Sequence, residues 1–87
     1  MAYVRISIVR PMRGQSERVK TLMRQLAESV AGHEGCTQSM LLQSDDGTGE
    51  IARVAVYTDV HASAATANDA HIMALRSELH LVVEPGH

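Results

Sequence analysis

The stretch SDDGTGEIARVAVY, Ser44–Tyr57, decides the fold because it joins a tight turn to a strand. An Asp-Gly pair followed by a second glycine is typical of a β-hairpin, since glycine readily adopts the positive φ angles that such turns require. The run Ile51–Tyr57 is predicted to be a strand, and Cys36–Gln43 on the other side of the turn is predicted to be its antiparallel partner. The sequence therefore predicts a hairpin in the middle of the chain.

A strand and a helix are predicted before the hairpin. In Tyr3–Val9 the apolar residues alternate with Arg5 and Ser7, which is the period of a half-buried strand. Ser16 is predicted to cap the helix that follows, and Gly32 to come just after its end. The apolar residues of this helix recur at positions that share one side: Val19, Leu22, Met23, Leu26, Ala27 and Val30.

Two helical pieces and a last strand are predicted after the hairpin. Thr58 or Asp59 is predicted to cap a helical region that ends near Leu79. Asn68–Asp69 breaks this region, and the aspartate of that pair caps the second piece. Leu81–Glu84 is predicted to be a short last strand. The order β-α-β-β-α-β defines an α+β, ferredoxin-like fold with an antiparallel sheet, in one domain that spans residues 1–87.

The two faces of the predicted sheet differ in composition. One face is uniformly apolar and is predicted to pack under the helices: Val4, Ile6, Ile8, Val54, Val56, Leu81 and Val83. The other face is mixed: Tyr3, Arg5, Ser7, Val9, Ile51, Arg53, Ala55, Tyr57 and Val82. Water could cover this mixed face, but its apolar patch exceeds what monomers commonly expose, and we expect a second copy of the chain there. Glu84 is then a candidate partner for Arg5 and Arg53.

Composition excludes several classes of function. The chain has two Tyr and no Trp or Phe, so it lacks the aromatic platforms on which proteins stack nucleic-acid bases. Its formal net charge is −2, without a basic run, and nucleic acid is not a predicted partner. No apolar run approaches the ~20 residues of a membrane span. The single Cys36 fits a reducing compartment, and the N-terminus lacks a signal peptide's apolar segment, so a cytoplasmic protein is predicted.

No motif indicates a cofactor. The chain contains neither a G-x-G-x-x-G segment nor a P-loop, so no nucleotide cofactor is predicted. Its histidines lack the H-x-H or H-x-x-x-H spacing of a metal site, and no metal is predicted either. His33 and His87 are interpreted as surface or terminal residues. Cys36 is interpreted as a buried structural residue rather than a nucleophile, because nothing adjacent except His33 could activate its thiol.

The chain resembles the antibiotic-biosynthesis-monooxygenase-like branch of the dimeric α/β-barrel superfamily over nearly its whole length. The segments that carry the resemblance are VRISIVRPMRG, HEGCTQSMLLQS and VAVYTDVHASAATANDAH. In the last segment Tyr57, Asp59 and His71 match the aromatic residue, the acidic residue and the histidine that this family commonly shows. The resemblance implies a homodimer whose two sheets join into a barrel, with a small pocket between sheet and helices in each protomer.

The resemblance also implies an activity, since some members are cofactor-independent oxygenases of phenols and quinols. His71 is then the candidate acid or base, because histidine exchanges protons near neutral pH. The candidates for binding a small aromatic ligand are Ser7, Tyr57, Thr66 and Met40. Haem degradation is disfavoured, because the Asn, Trp and iron-binding His of haem-degrading members fall at Ser7, Thr66 and Arg76. The alternative is a non-catalytic dimer that binds a small molecule or has a structural role.

Overall fold

The computed structural model describes residues 1–85 and contains a three-stranded antiparallel sheet with helices packed on one side. Its elements, in chain order, are β1 Tyr3–Val9, α1 Ser16–Ala31, β2 Cys36–Gln43, β3 Ile51–Tyr57, α2 Val60–Ala67 and α3 Ala70–His80. β3 lies between β1 and β2 and is antiparallel to both. The predicted α+β, ferredoxin-like fold is confirmed, as is the hairpin, in which Gly47 and Gly49 adopt positive φ. No helix within this described range is long and apolar enough to cross a membrane.

The predicted last strand, Leu81–Glu84, is wrong, because it is reduced to one antiparallel bridge between Val83 and Pro11. The amides of Leu81 and Val82 close the last turn of α3 by donating to carbonyls of that helix, at 3.2 and 3.0 Å. These two residues therefore use their donors in the helix rather than in a ladder. Pro11 has no amide with which to extend the pairing from its own side.

Strand register defines the two faces of the sheet, since residues directly opposite one another on neighbouring strands point to the same side. The face turned toward the helices is called the covered face: Tyr3, Arg5, Ser7, Val9, Cys36, Ser39, Leu41, Gln43, Ile51, Arg53, Ala55 and Tyr57. The opposite face is called the bare face: Val4, Ile6, Ile8, Gln38, Met40, Leu42, Ala52, Val54 and Val56.

The helices cover the face that the sequence assigned to the partner, so the predicted assignment of the two faces is wrong. On the covered face the core includes Val9, Ile51, Ala55 and Tyr57. On the bare face Val4, Ile6 and Ile8 are 51%, 62% and 48% exposed. Both faces carry apolar side chains that would be more stable when buried. The helices of this chain bury only one of the two faces. Alternation in sequence identifies two faces but does not say which one the helices bury.

α1 confirms its predicted apolar stripe, whose buried members are Val19, Leu22, Met23, Leu26 and Val30. The start of the helix differs from the prediction. The Gln15 carbonyl accepts the first helical hydrogen bond, from the Val19 amide at 2.9 Å, so Gln15 is the cap and Ser16 is the first helical residue. Gly32 caps the end rather than following it, and its backbone stays right-handed at φ −81°.

α2 and α3 begin at the predicted aspartates. The Asp59 carboxylate accepts a hydrogen bond from the Ala62 amide at 2.9 Å, and Asp69 accepts one from the Ile72 amide at 3.1 Å. Each aspartate therefore satisfies an amide that the first helical turn leaves without a partner. These two caps fix where the helices start above the covered face.

Gly35 sets how closely α2 approaches the sheet. Its φ is +85°, and a Cβ at this position would lie 2.5 Å from the Cβ of Ala62. Its carbonyl also accepts a hydrogen bond from the Thr58 amide at 2.8 Å. A residue with a side chain would have to push α2 away from the start of β2. Glycine is thus required for the buried side of α2 to lie against the covered face.

Candidate substrate pocket

Two neighbouring cavities lie between the covered face and the helices. The smaller has a volume of about 20 Å³ and the larger of about 270 Å³. Arg53 on β3 and Arg76 on α3 line both cavities, so the two cavities share a wall. The smaller cavity is further lined by the polar side chains of Arg5, Tyr57, Ser63 and Thr66. Besides the two arginines, the larger is lined by Ser7 and His80 and by apolar residues: Ile6, Ile8, Val9, Met23, Leu26 and Leu79.

The periodicity of each element explains why these side chains converge. Arg5 and Ser7 on β1 are two residues apart, as strand residues on one face must be, and Ser7 lies opposite Arg53 on β3. Arg76 and His80 are four residues apart on α3, so they share one side of that helix. Ser63 and Thr66 are three residues apart on α2, so they also share one side of their helix, and both side chains are buried. The pocket therefore uses one side of each of these elements.

The three arginines of the pocket have no acidic partner in residues 1–85. Arg5, Arg53 and Arg76 take part in none of the ion pairs formed there. The Arg53 Nε is buried without a hydrogen-bond partner in that same part of the chain. The prediction that Glu84 pairs with Arg5 or Arg53 is wrong, because its carboxylate lies 3.7 Å from Arg10 instead.

Burial and like charges act together on the Arg53 guanidinium. Burial lowers its pKa, and the positive charges of Arg76 and Arg5 lower it further, while Tyr57 and Cys36 act in the opposite direction. An arginine side chain nevertheless keeps its proton in proteins. The covered face therefore holds a cluster of positive charge next to the smaller cavity.

Tyr57 and Thr66, two of the predicted ligand-binding residues, come together in the smaller cavity. Tyr57 ends β3 and is only 2% exposed. Burial raises the pKa of its phenol, and the Thr66 hydroxyl acts against that rise. The Thr66 hydroxyl itself donates to the Ala62 carbonyl at 2.9 Å. Tyr57 is therefore a neutral phenol at neutral pH, able to donate a hydrogen bond into the cavity.

The remaining predicted site residues lie apart from one another. Ser7 lines the larger cavity. Met40 lies on the bare face, on the other side of the sheet. His71 is exposed in the first turn of α3 and is not among the residues that line the two cavities. The catalytic role of His71 and the ligand-binding roles of the other residues stay predictions.

Five polar pocket residues were not among the predicted site residues: Arg5, Arg53, Ser63, Arg76 and His80. Arg5 and Arg53 have the strand parity of the covered face, but the sequence predicted a dimer interface on this face rather than a pocket. The spacing of four on α3 was a signal that could have been used. It identifies a shared helix side, but only the packing of α3 on the sheet shows that this side faces a cavity.

His33 and Cys36 make local contacts outside the two cavities. His33, interpreted as a surface residue, is half-buried, with its Nε2 lying 3.2 Å from the Asp69 carboxylate. Cys36 packs against the core while half-buried, and its thiol donates to the Gln38 carbonyl at 3.3 Å. Across residues 1–85, no three His, Cys, Asp or Glu side chains converge where they could hold a metal ion.

Comparison with solved structures shows which proteins share this fold. A candidate antibiotic biosynthesis monooxygenase from Nitrosomonas europaea superposes with a TM-score of 0.88 at 24% identity, over 97% of this chain and 82% of that chain. SnoaB from Streptomyces nogalater, a cofactor-independent oxygenase, gives a TM-score of 0.83 at 16% identity, over 95% and 84% of the two chains. A structure from Mycobacterium tuberculosis gives 0.87 at 17% identity, with the same 95% and 84% coverage.

Comparison of the sequence with family models and with curated proteins identifies no relative. A scan against models of known protein families found no match, and a search of curated proteins found none either. The predicted resemblance to antibiotic-biosynthesis-monooxygenase-like proteins is therefore confirmed for the fold, by the structural neighbours.

Proposed function

We propose that this chain is a small cofactor-independent monooxygenase that oxidises an aromatic, quinol or polyketide-like substrate in the pocket on the covered face. The observation that carries the proposal is the pair of cavities that share Arg53 and Arg76. A cavity of ~150 Å³ holds benzene, so the larger cavity, at about 270 Å³, has room for a fused aromatic ring system. The fold shared with SnoaB supports an oxygenase of this kind.

The chemistry requires a substrate that supplies its own electrons. A phenol that loses its proton becomes an electron-rich phenolate, which transfers electrons to molecular oxygen. In the overall step a ring CH₂ group becomes a carbonyl: one oxygen atom enters the substrate, and the other leaves as water with the two hydrogens of that carbon. The positive charges of Arg53 and Arg76 would stabilise the phenolate, since fixed charges in a partly dry site act strongly on developing charge.

Proton transfer needs a residue that reaches the substrate. Of the two histidines on α3, His80 lines the larger cavity and His71 does not. We therefore assign the proton transfer to His80, while His71 stays the candidate that the sequence favours. Tyr57, Ser7 and Thr66 would orient the substrate, as predicted.

Oxygen consumption with a panel of anthrones and hydroquinones tests this assignment. We expect His80→Ala to lower kcat by a factor of about 10² or more, the usual contribution of a positioned acid or base. His71→Ala and the exposed control His61→Ala on α2 should each retain the wild-type rate. If His71→Ala loses activity and His80→Ala does not, the assignment to His80 is overturned and the sequence-based candidate takes its place. If wild type consumes no oxygen with any substrate of the panel, the monooxygenase proposal fails.

The proposal includes a homodimer formed through the bare face. The exposed side chains of Ile6 and Ile8 on β1 and of Met40 and Leu42 on β2 flank the half-buried Val54 on β3, so that an apolar surface crosses all three strands. Such patches mark interaction sites in soluble proteins. A two-fold axis through this face would pair the surface with itself and form the barrel that the resemblance implies. A single free cysteine is compatible with the cytoplasm, which we propose as the compartment.

A non-catalytic binding or structural dimer is the second candidate. The position of His71 outside the two cavities favours it, because the histidine that matches the family pattern does not reach the pocket. A thermal-shift screen with the same substrate panel separates the two candidates. Stabilisation by a panel compound without oxygen consumption would support binding alone.

A further inference from the structure

Three arginines line one small cavity on the covered face, and none of them has an acidic partner in residues 1–85. We propose that Arg5, Arg53 and Arg76 form a binding site for the carboxylate of an aromatic acid, with its ring system seated in the larger cavity. The inference rests on the proposed function for the position of the substrate, and it names the chemical class of that substrate.

The three arginines line the same cavity from three different elements of the fold. Arg5 and Arg53 project from neighbouring strands on the covered face, at diagonal positions of the β1–β3 ladder, because Arg5 lies opposite Ala55 and Arg53 lies opposite Ser7. Arg76 reaches the same cavity from α3. A carboxylate in this position would meet donors from the sheet on one side and from a helix on the other. Arginine suits this task because its planar fork matches the two oxygens of a carboxylate.

Nearby acids are already engaged elsewhere. Glu78 on α3 lies 2.6 Å from Arg18, and Glu84 lies 3.7 Å from Arg10. Three like charges at one cavity repel one another. The cost of burial without counter-charge falls mainly on Arg53, whose Nε is buried, since Arg5 is exposed and Arg76 is half-buried. An anionic ligand would remove that cost on binding. The charge balance of this region therefore points to a ligand that carries a negative charge.

The hydroxyl groups of Tyr57 and Ser63 add donors to the proposed carboxylate site, whereas the Thr66 hydroxyl already donates to the Ala62 carbonyl at 2.9 Å. The side chains of Tyr57, Ser63 and Thr66 line the smaller cavity together with the arginines. Its volume of about 20 Å³ matches roughly one water-sized group, and a single carboxylate oxygen is of that size.

The larger cavity is where we place the ring system of the ligand. Its volume of about 270 Å³ and its apolar residues, such as Met23, Leu26 and Leu79, suit a flat hydrocarbon body. Arg53 and Arg76 lie at the boundary between the cavities. A carboxylate attached directly to a fused ring system would therefore contact both arginines while its rings occupy the apolar side.

Isothermal titration with 2-naphthoate and with its neutral analogue 2-naphthamide tests the site. The titrations are made under argon, so that binding is measured without turnover. We expect wild type to bind 2-naphthoate about tenfold or more tightly than the amide, the factor that a charge-assisted hydrogen bond contributes. Arg53→Gln and Arg76→Gln should each weaken 2-naphthoate by a similar factor and leave the amide unchanged. The exposed Arg13→Gln, with the same loss of charge, should bind both ligands as wild type does.

Two pocket variants are used because Arg53 lies on β3 and Arg76 on α3. If one variant fails to fold, the affinity of the other for 2-naphthoate still tests the site. Equal affinity for acid and amide, no binding of 2-naphthoate, or an equal loss in Arg13→Gln would overturn the proposal. Tighter binding of inorganic phosphate than of 2-naphthoate would overturn the choice of a carboxylate. Failure of oxygen consumption alone would leave the affinities unaltered and would count against the proposed monooxygenase, not against this site.

Discussion

The two faces of the sheet differ in polarity and in whether helices cover them, although their residues alternate along the same strands. The covered face carries Ser7, Arg53 and Tyr57 beneath helices, together with the exposed Arg5, whereas the bare face is almost wholly apolar and has no helix on it. The more polar face is thus the buried one. The helices therefore enclose a polar pocket, while the apolar side chains of the bare face stay exposed in one chain, and we propose that a second copy covers them.

The largest effect is expected from a charge placed on the bare face. Ile6→Lys should weaken the proposed dimer by a factor of about 10² or more, because two-fold symmetry places the buried ammonium group in the interface twice. Sedimentation velocity over a range of protein concentrations measures this change. The matched control is Leu81→Lys, because Leu81 is also apolar, is 76% exposed and lies outside the sheet. An unaltered dimer in Ile6→Lys would place the interface elsewhere.

A substitution at Gly35 tests the covered face. Gly35→Ala should lower the free energy of unfolding by roughly 3 kcal/mol, since the left-handed backbone costs ~1 and overpacking against Ala62 costs the rest. Gly14→Ala is the matched control: its φ of +81° is similar, but nothing lies within 4 Å of the added Cβ. It should lose only about 1 kcal/mol. Equal losses in urea denaturation would show that α2 does not depend on the close approach at Gly35.

Removal of the buried charge should stabilise the covered face. Arg53→Met keeps much of the side-chain volume and removes a charge without a partner in residues 1–85. We expect a gain of about 1 kcal/mol in the free energy of unfolding, together with the loss of selectivity for 2-naphthoate. Arg13→Met should change neither quantity. A loss of stability in Arg53→Met would show that the guanidinium is compensated and would remove the charge argument for an anionic ligand.

The smallest effect concerns the cap of α3 and its pH dependence. The Ile72 amide, and after it the side chain of His33, lower the pKa of Asp69 from its ordinary value of 3.8. A carboxyl group with a lowered pKa in the folded state contributes stability above its unfolded pKa and loses that contribution as pH falls through the folded pKa. Asp69→Asn should therefore lower Tm by a few degrees at neutral pH.

The difference in Tm between Asp69→Asn and wild type should shrink as the pH is lowered below ~4. Thermal unfolding followed by circular dichroism at several pH values measures it. Asp45→Asn in the exposed hairpin, with the same change of side chain, is the control and should show no such trend. A difference that stays constant with pH would mean that the carboxylate charge of Asp69 does not stabilise the fold.

Local signals in the sequence predicted most of the fold. The stripe of α1, the hairpin glycines and the capping aspartates Asp59 and Asp69 depend on residues within one or two turns of one another, so their patterns are readable. The last strand could not be predicted in the same way. The residues Leu81 and Val82 have strand-forming side chains, but their amides close α3.

The pocket was predicted only in part, because it depends on contacts between distant elements. Tyr57 and Thr66 were recognised from a family pattern, and they do meet in one cavity. Arg76 and His80 belong to the pocket only because α3 packs with that side toward the sheet. Tertiary packing decides which face of the sheet α3 covers. The alternation of residues along a strand is the same whichever face is covered, so it cannot predict the outcome.

The mass of the wild-type protein in solution tests the central claim most directly, namely that the bare face is an interface and the covered face is the pocket. Light scattering at micromolar concentration should give twice the 9.4 kDa of one chain. A stable monomer of 9.4 kDa would contradict the account, because the most apolar surface of the molecule would then face water.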